Sequence, residues 1–142
     1  MKVQKKMANR EQYLDLFNSM ITNIERKIRL QTIILFGSRA RGDAHQYSDY
    51  DLVIIADFEE PYAKRRDWVV RLTPDVSVDL FCFTPDEFEQ LFSDLNLTAI
   101  DAIGEGIVLV GNEFVAPFKE RYAWMELHGM RKTDCLIIPP ES

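Results

Sequence analysis

The chain has 142 residues, 46% of them hydrophobic and 28% charged, a balance that suits one globular domain and excludes a wholly disordered chain. Its net charge of −6 argues against a surface built to wrap DNA or RNA, because such surfaces carry excess Lys and Arg. A small nucleotide stays open as a partner, since a divalent cation can supply the positive charge the protein lacks.

In chain order, Tyr13, Phe17, Met20, Ile21, Ile24 and Ile28 recur at spacings of three and four and predict an amphipathic first helix. Residues 31–36 end in Ile-Ile-Leu-Phe without polar alternation and stop at Gly37, which predicts a short strand buried on both faces. A polar stretch over 38–48 follows, and 50–57 reads as a second buried strand. Pro61 opens a helix with Tyr62, Trp68, Val69 and Leu72 as its apolar side and Lys64-Arg65-Arg66 as its solvated face. After a turn at Thr73-Pro74-Asp75, residues 76–83 predict a third strand.

Thr84 as N-cap, Pro85 at N1 and Glu87 at N3 predict a helix running to about Phe92. Another helix covers 97–103 and is ended by Gly104 and Gly106; residues 107–110 form a fourth strand before the Gly111-Asn112 turn. The last helix carries Phe118, Tyr122 and Met125 on one face and stops near Gly129, where His128 faces its last carbonyls. Helices interleaved with short strands define an α/β (α+β) fold, a short mixed sheet flanked by helices. The expected organisation is one domain over 1–130 and a tail over 131–142. In that tail, Leu136-Ile137-Ile138 before Pro139-Pro140 reads either as a docking segment or as chain folded back on its own domain.

Cys82 and Cys135 lie far apart and outside any metal-ligand spacing, and read as unpaired thiols of a reducing compartment. The lysines of 1–10 have no apolar stretch behind them, so no secretory signal is read there. No apolar run approaches the ~18 residues of a membrane span. The expectation is a cytoplasmic protein with no membrane partner.

The chemistry-bearing segment begins at the end of the first strand. Gly37-Ser38 is either an ordinary turn or a place where backbone N–H groups and a hydroxyl approach an anion. The connection over 38–48 is long for a hairpin and lacks a full helix, a combination common in functional loops. Asp49 and Asp51, at i and i+2 at a strand mouth, point to one face and repel each other. They form either a polar strand entry or a Mg²⁺ site. Asp79 lies among apolar neighbours that predict a largely buried position. It is either held by an internal hydrogen bond or ion pair, or is a third carboxylate of the same site. Arg41, three residues after Ser38, is favoured over Arg39 for phosphate contact, with Arg39 solvated or paired with a surface carboxylate. His45 reads as an exposed loop residue. No Gly-x-x-x-x-Gly-Lys-Ser/Thr occurs, which excludes a P-loop NTPase.

Gly-Ser, ten residues, Asp-x-Asp and a later Asp in a hydrophobic strand resemble the DNA polymerase β-type nucleotidyltransferase superfamily. Within it the chain is similar to the minimal nucleotidyltransferases, including the antitoxin partners of HEPN-domain proteins. A chance match to this pattern has a probability on the order of one in a thousand in a chain of this length. The resemblance covers roughly 31–110 and implies the nucleotidyltransferase fold. It further implies that Gly37 and Ser38 hold the terminal phosphates of ATP or another NTP. Asp49 and Asp51 would ligate two Mg²⁺ ions, with Mn²⁺ as a substitute, and Asp79 would ligate the catalytic ion and help activate the acceptor hydroxyl. The implied reaction transfers NMP, in the first instance AMP from ATP, to a hydroxyl of a small helical HEPN-type partner. The alternatives are transfer to a small hydroxylated compound, or inhibition of a partner by occlusion. A second copy of the chain, as a homodimer, is a further partner, and long nucleic acid is not.

Overall fold

The computed structural model describes residues 2–133 and 135–141. Met1, Asp134 and Ser142, which belong to the N-terminal stretch and the tail read above, lie outside the described residues. The chain runs α1 (Lys2–Lys27), β1 (Leu30–Phe36), α2 (Ser38–Arg41), β2 (Tyr50–Ala56), α3 (Tyr62–Val69), a 3₁₀ turn (Val70–Leu72) and β3 (Val78–Phe83). It continues through α4 (Pro85–Ser93), α5 (Leu97–Glu105), β4 (Ile107–Val110), α6 (Asn112–Leu127), β5 (Arg131–Lys132) and β6 (Ile137–Ile138). No helix of the described residues is long and apolar enough to cross a membrane.

Four strands form one sheet in the order β3-β2-β1-β4. The β1/β2 and β1/β4 pairs are antiparallel, while β2/β3 is parallel, with α3 in the connection. This is the mixed sheet flanked by helices that the sequence predicts. Strand alternation divides the core into two layers. Ile34, Phe36, Val53, Ile55 and Phe83 face α4, α5 and α6, meeting Phe88, Phe92, Ile100, Val115 and Phe118. Ile33, Leu35, Leu52, Ile54 and Leu80 face the other way, onto Phe17, Met20 and Ile24 of α1 and Val69 of α3. Both faces are covered, which is why the strands read as apolar runs without alternation.

Local signals hold where they are strong. Thr84 and Glu87 form the full capping box, with Glu87 accepting from the Thr84 amide (2.8 Å) and Thr84 accepting from the Glu87 amide (3.3 Å). His128 Nδ1 lies 2.8 Å from the Trp124 carbonyl at the end of α6, as read from its position. Helix α1 begins earlier than its apolar stripe. Its first turns carry polar residues, yet Arg10 donates to the carbonyls of Val108 and Leu109, tying the helix to edge strand β4.

Three expectations change. Gly104 does not end α5 but lies inside it, where a Cβ would run into the Tyr122 ring; its missing side chain lets α5 and α6 approach closely. The solvated-face reading of Lys64-Arg65-Arg66 fails at Arg65, which is 5% exposed and donates to Glu87, to the Cys82 carbonyl (3.1 Å) and to the Glu60 carbonyl (2.9 Å). A carboxylate from α4 makes that burial affordable, and it lies outside the helix whose periodicity was read. The two readings of the tail give way to a mixture: β6 pairs with β5 and Ile137 packs against the α4–α6 layer, while Leu136 and Ile138 stay half exposed. Among the described residues Cys82 is buried and Cys135 exposed, both as free thiols.

Candidate active site

The end of β1 and the starts of β2 and β3 meet at one edge of the sheet. Asp51 pairs with Phe36 on one side and with Asp79 on the other, so Asp51 and Asp79 are direct neighbours on parallel strands and face the same way. Asp49 precedes them by two residues and shares that face. Its Oδ1 accepts the hydroxyl of Ser77, the residue two before Asp79. The Tyr50 amide donates to the Ser77 carbonyl (2.9 Å), which carries the parallel pairing back to the strand mouth. Asp51 and Asp79 thus sit side by side because β2 and β3 run parallel and in register, and the Ser77 hydroxyl ties Asp49, just before β2, to the start of β3.

Asp79 is half-buried rather than largely buried. It is the second residue of β3, and the sheet edge there opens to solvent. Asp49 is exposed and Asp51 half-buried. Burial first, then the charges of Asp79 and Asp49, push the Asp51 carboxyl above the ordinary carboxylate range, while Arg41 pulls it down. Among the described residues no group of three His, Cys, Asp or Glu side chains is already gathered to hold a metal ion. Asp49 engages the Ser77 hydroxyl. The donor set nevertheless fits Mg²⁺ or Mn²⁺: all-oxygen, carboxylate, and including one acid whose charged form a cation would relieve.

Gly37 sits at the hinge between β1 and the short α2, at φ 75° and ψ −156°. A Cβ there would land on the Asp51 carboxylate, so the glycine allows backbone and carboxylate to approach. Ser38 opens α2, whose turn closes through the Arg41 amide on the Gly37 carbonyl (3.0 Å) and the Gly42 amide on the Ser38 carbonyl (3.0 Å). Gly37→Ala is therefore expected to displace Asp51 and destabilise the fold by about 1–2 kcal/mol, through strain at positive φ and the clash together. Denaturant melts with and without Mg²⁺ check this; a variant of wild-type stability and Mg²⁺ response would show that the close approach is dispensable.

The arginines of α2 part around the sheet. Arg41 lies on the carboxylate side, paired with Asp43 (3.2 Å) and with Glu105 of α5 (3.4 Å). Glu105 and Asp101 also hold Lys132 of β5, so the tail hairpin and the loop after β1 share one ionic cluster. Arg39 is half-buried and, among the described residues, forms no ion pair with a carboxylate, contrary to the sequence reading. Its Nε and Nη2 donate to the Ser48 carbonyl (3.3 and 2.9 Å), and its guanidinium lies 4.3 Å over the Tyr50 ring. His45 is exposed, its amide donating to the Ser48 hydroxyl (3.0 Å). Ser77, Arg39 and Tyr50 are the residues that sequence reasoning missed. The repeated x-Val/Tyr-Asp spacing was the available signal for Ser77, whereas no local pattern marks Arg39.

The arrangement defines a class: an α/β domain with a four-stranded mixed sheet, in which Asp51 and Asp79 stand side by side next to a glycine turn and a short basic helix. Residues 19–127 match the nucleotidyltransferase domain family, and the chain belongs to it. No curated protein sequence matches the chain. Among solved structures it is similar to a toxin–antitoxin structure with AMP-PNP, at 25% identity and a TM-score of 0.50, covering 75% of this chain and 86% of that one. A second similar structure is the tri-AMPylated Shewanella oneidensis HEPN toxin in complex with MNT antitoxin, at 21% identity and a TM-score of 0.40, covering 84% and 87%.

Proposed function

We propose that the chain transfers a nucleoside monophosphate, AMP from ATP in the first instance, to a hydroxyl of a small helical HEPN-type partner protein and so acts as an antitoxin. The reading is carried by the register pairing that sets Asp51 beside Asp79, with Asp49 two residues before on the same face. Family membership supports nucleotidyl transfer, and similarity to a toxin–antitoxin structure with AMP-PNP supports both the nucleotide and the partner class.

Asp49, Asp51 and Asp79 would hold Mg²⁺ or Mn²⁺, which when bound supplies the charge neutralisation and Lewis acidity of an in-line phosphoryl displacement. Gly37 and Ser38 offer the backbone and hydroxyl of the hinge to the terminal phosphates. Arg41 contributes its guanidinium by exchanging Asp43 and Glu105 for phosphate oxygens. The acceptor oxygen bonds to the α-phosphorus, the bond to pyrophosphate breaks, and Asp79 helps take the hydroxyl proton. A half-buried position as the second residue of β3 supports that role for Asp79, since an acceptor could reach it.

Asp79→Ala is expected to remove transfer by about a hundredfold or more while nucleotide binding falls less, because the glycine hinge and Arg41 remain. Calorimetric ATP titration beside a turnover assay separates the two, and near-normal transfer would make Asp79 a structural carboxylate. The acceptor is tested by incubating the chain with its genomic neighbour, ATP and Mg²⁺, followed by intact-protein mass spectrometry. A mass gain of one or more AMP groups on the neighbour, absent with Asp49→Asn, supports the reading. An unmodified but inhibited neighbour moves the conclusion to occlusion, and AMP on an added aminoglycoside-like alcohol moves it to small-molecule transfer.

A further inference from the structure

We propose that Arg39 is the positioning residue that fixes Asp49, by clamping the two ends of the loop between α2 and β2. The functional consequence rests on the reading of the carboxylate site given above; the clamp itself rests on the contacts around the loop.

Loop residues 42–49 are largely exposed and lie between Gly42, at φ 84°, and the start of β2. Among the described residues their internal bonds centre on His45: the Ser48 amide donates to its carbonyl (2.9 Å), its own amide donates to the Ser48 hydroxyl, and the Tyr47 amide donates to its Nδ1 (3.2 Å). These bonds shape a turn but do not anchor it to the domain. The anchor comes from Arg39, which directs Nε and Nη2 at the Ser48 carbonyl. That carbonyl belongs to the peptide plane whose nitrogen is the amide of Asp49. One residue later, the Tyr50 amide is held by the Ser77 carbonyl. Asp49 therefore sits between two fixed peptides, and its carboxylate, launched from that backbone, is met by the Ser77 hydroxyl.

The clamp is braced from behind. Tyr50 points to the face opposite the carboxylates, where its ring takes the Arg39 guanidinium at 4.3 Å and edge contacts from Tyr13 (6.0 Å) and Phe17 (5.5 Å). The Tyr13 hydroxyl donates to the Arg39 carbonyl (3.4 Å), which closes a ring of contacts from α1 through α2 to β2. A planar guanidinium is needed here: it lies flat on an aromatic ring while sending two coplanar N–H groups to one oxygen, whereas an ammonium does one or the other. Alternation along β2 puts Asp49 and Asp51 on one face and Tyr50 on the other, so Arg39 can brace the carboxylate pair without competing for phosphate or metal.

The test uses the full chain as Arg39→Ala, Arg39→Lys and Asp49→Asn. Two readouts are taken: backbone hydrogen exchange without ligand, and Mn²⁺ binding with a non-hydrolysable ATP analogue, followed by the loss of the free-ion resonance signal. Arg39→Ala is expected to speed exchange over 43–50 by about tenfold while α4–α6 keep their protection. It should also weaken Mn²⁺ binding by about tenfold or more, the usual effect of losing a group that orients a ligand. Arg39→Lys should fall between, and it keeps the test open if the alanine variant loses protection throughout. Unchanged loop exchange and unchanged Mn²⁺ affinity in both Arg39 variants, with Asp49→Asn deficient, would overturn the clamp and leave the carboxylate site standing. Faster loop exchange in a protein whose wild type binds no Mn²⁺ would support the clamp and sink the metal-site reading instead.

Discussion

Asp51→Asn is expected to abolish nucleotide transfer, by about a thousandfold or more, while the metal-free protein becomes slightly more resistant to heat. The two effects share one cause. Asp51 sits against Gly37, beside Asp79 in register and two residues from Asp49, so its charge is raised in energy by burial and by two like neighbours. That arrangement makes sense for a cation ligand and is unfavourable without one. Losing one electrostatic partner of a phosphoryl-transfer site typically costs orders of magnitude in rate. The stability gain is small, below about 1 kcal/mol, because the carboxylate is only half-buried. Its sign follows from linkage. A carboxyl whose folded pKa is raised destabilises the native state above that pKa, and the penalty disappears below the unfolded value near ~3.9. The gain in Asp51→Asn should therefore be present at neutral pH in EDTA and shrink as the medium is acidified. Added Mg²⁺ should stabilise the wild type and leave the variant unmoved. Retained turnover in Asp51→Asn, or an equal Mg²⁺ response in both proteins, would remove Asp51 from the site.

Glu87→Ala should be the most damaging substitution at the surface of the fold, lowering stability by about 2–3 kcal/mol. Arg65 is buried and its guanidinium takes both Glu87 oxygens, at 2.5 and 3.1 Å. Removing the carboxylate leaves a buried charge with two carbonyls, of Cys82 and Glu60, and the Phe58 and Tyr62 rings but no counter-charge from Glu87, and it breaks the capping box of α4. The figure is set below the ~3–5 kcal/mol of a fully buried pair because the Glu87 side chain is 42% exposed. The hydrogen bond from Arg65 holds the Glu87 carboxyl below the ordinary range. Its stabilisation is thus complete above the unfolded value near ~4.3 and is lost as pH falls through the lower folded value. Urea melts of wild type and Glu87→Ala should converge as the pH drops through that window. A constant gap between them would mean that the loss comes from packing of the Glu87 side chain and not from its carboxylate, whose bonds to Arg65 and to the Thr84 amide both titrate.

Much of the site is legible because it lies within short stretches of chain. The hinge at Gly37 follows from an apolar run cut off by glycine, and Asp49 and Asp51 share a face by the alternation of any strand. The same alternation, applied to Ser77 and Asp79, was there to be read but had no partner strand to give it meaning. Asp79 was placed too deep because its apolar neighbours reveal the strand but not where along it the sheet meets solvent. Arg65 reads as solvated, and Arg39 as solvated or paired with a surface carboxylate, because a charged side chain's surroundings come from residues outside its local pattern: Glu87 for one, Ser48 and Tyr50 for the other.

The sequence by itself determined the order and kind of the main elements, the Thr84–Glu87 cap and the segment that carries the chemistry, since propensity, period and capping act over a few residues. The tertiary structure decided that β2 and β3 run parallel and in register, so that Asp79 lands beside Asp51. It also decided that Arg39 turns onto Tyr50 and the Ser48 carbonyl and that the tail pairs β5 with β6. Those outcomes depend on strand register and on which buried charge finds a partner. A shift of one residue in pairing would turn every side chain to the other face while leaving each local pattern unchanged.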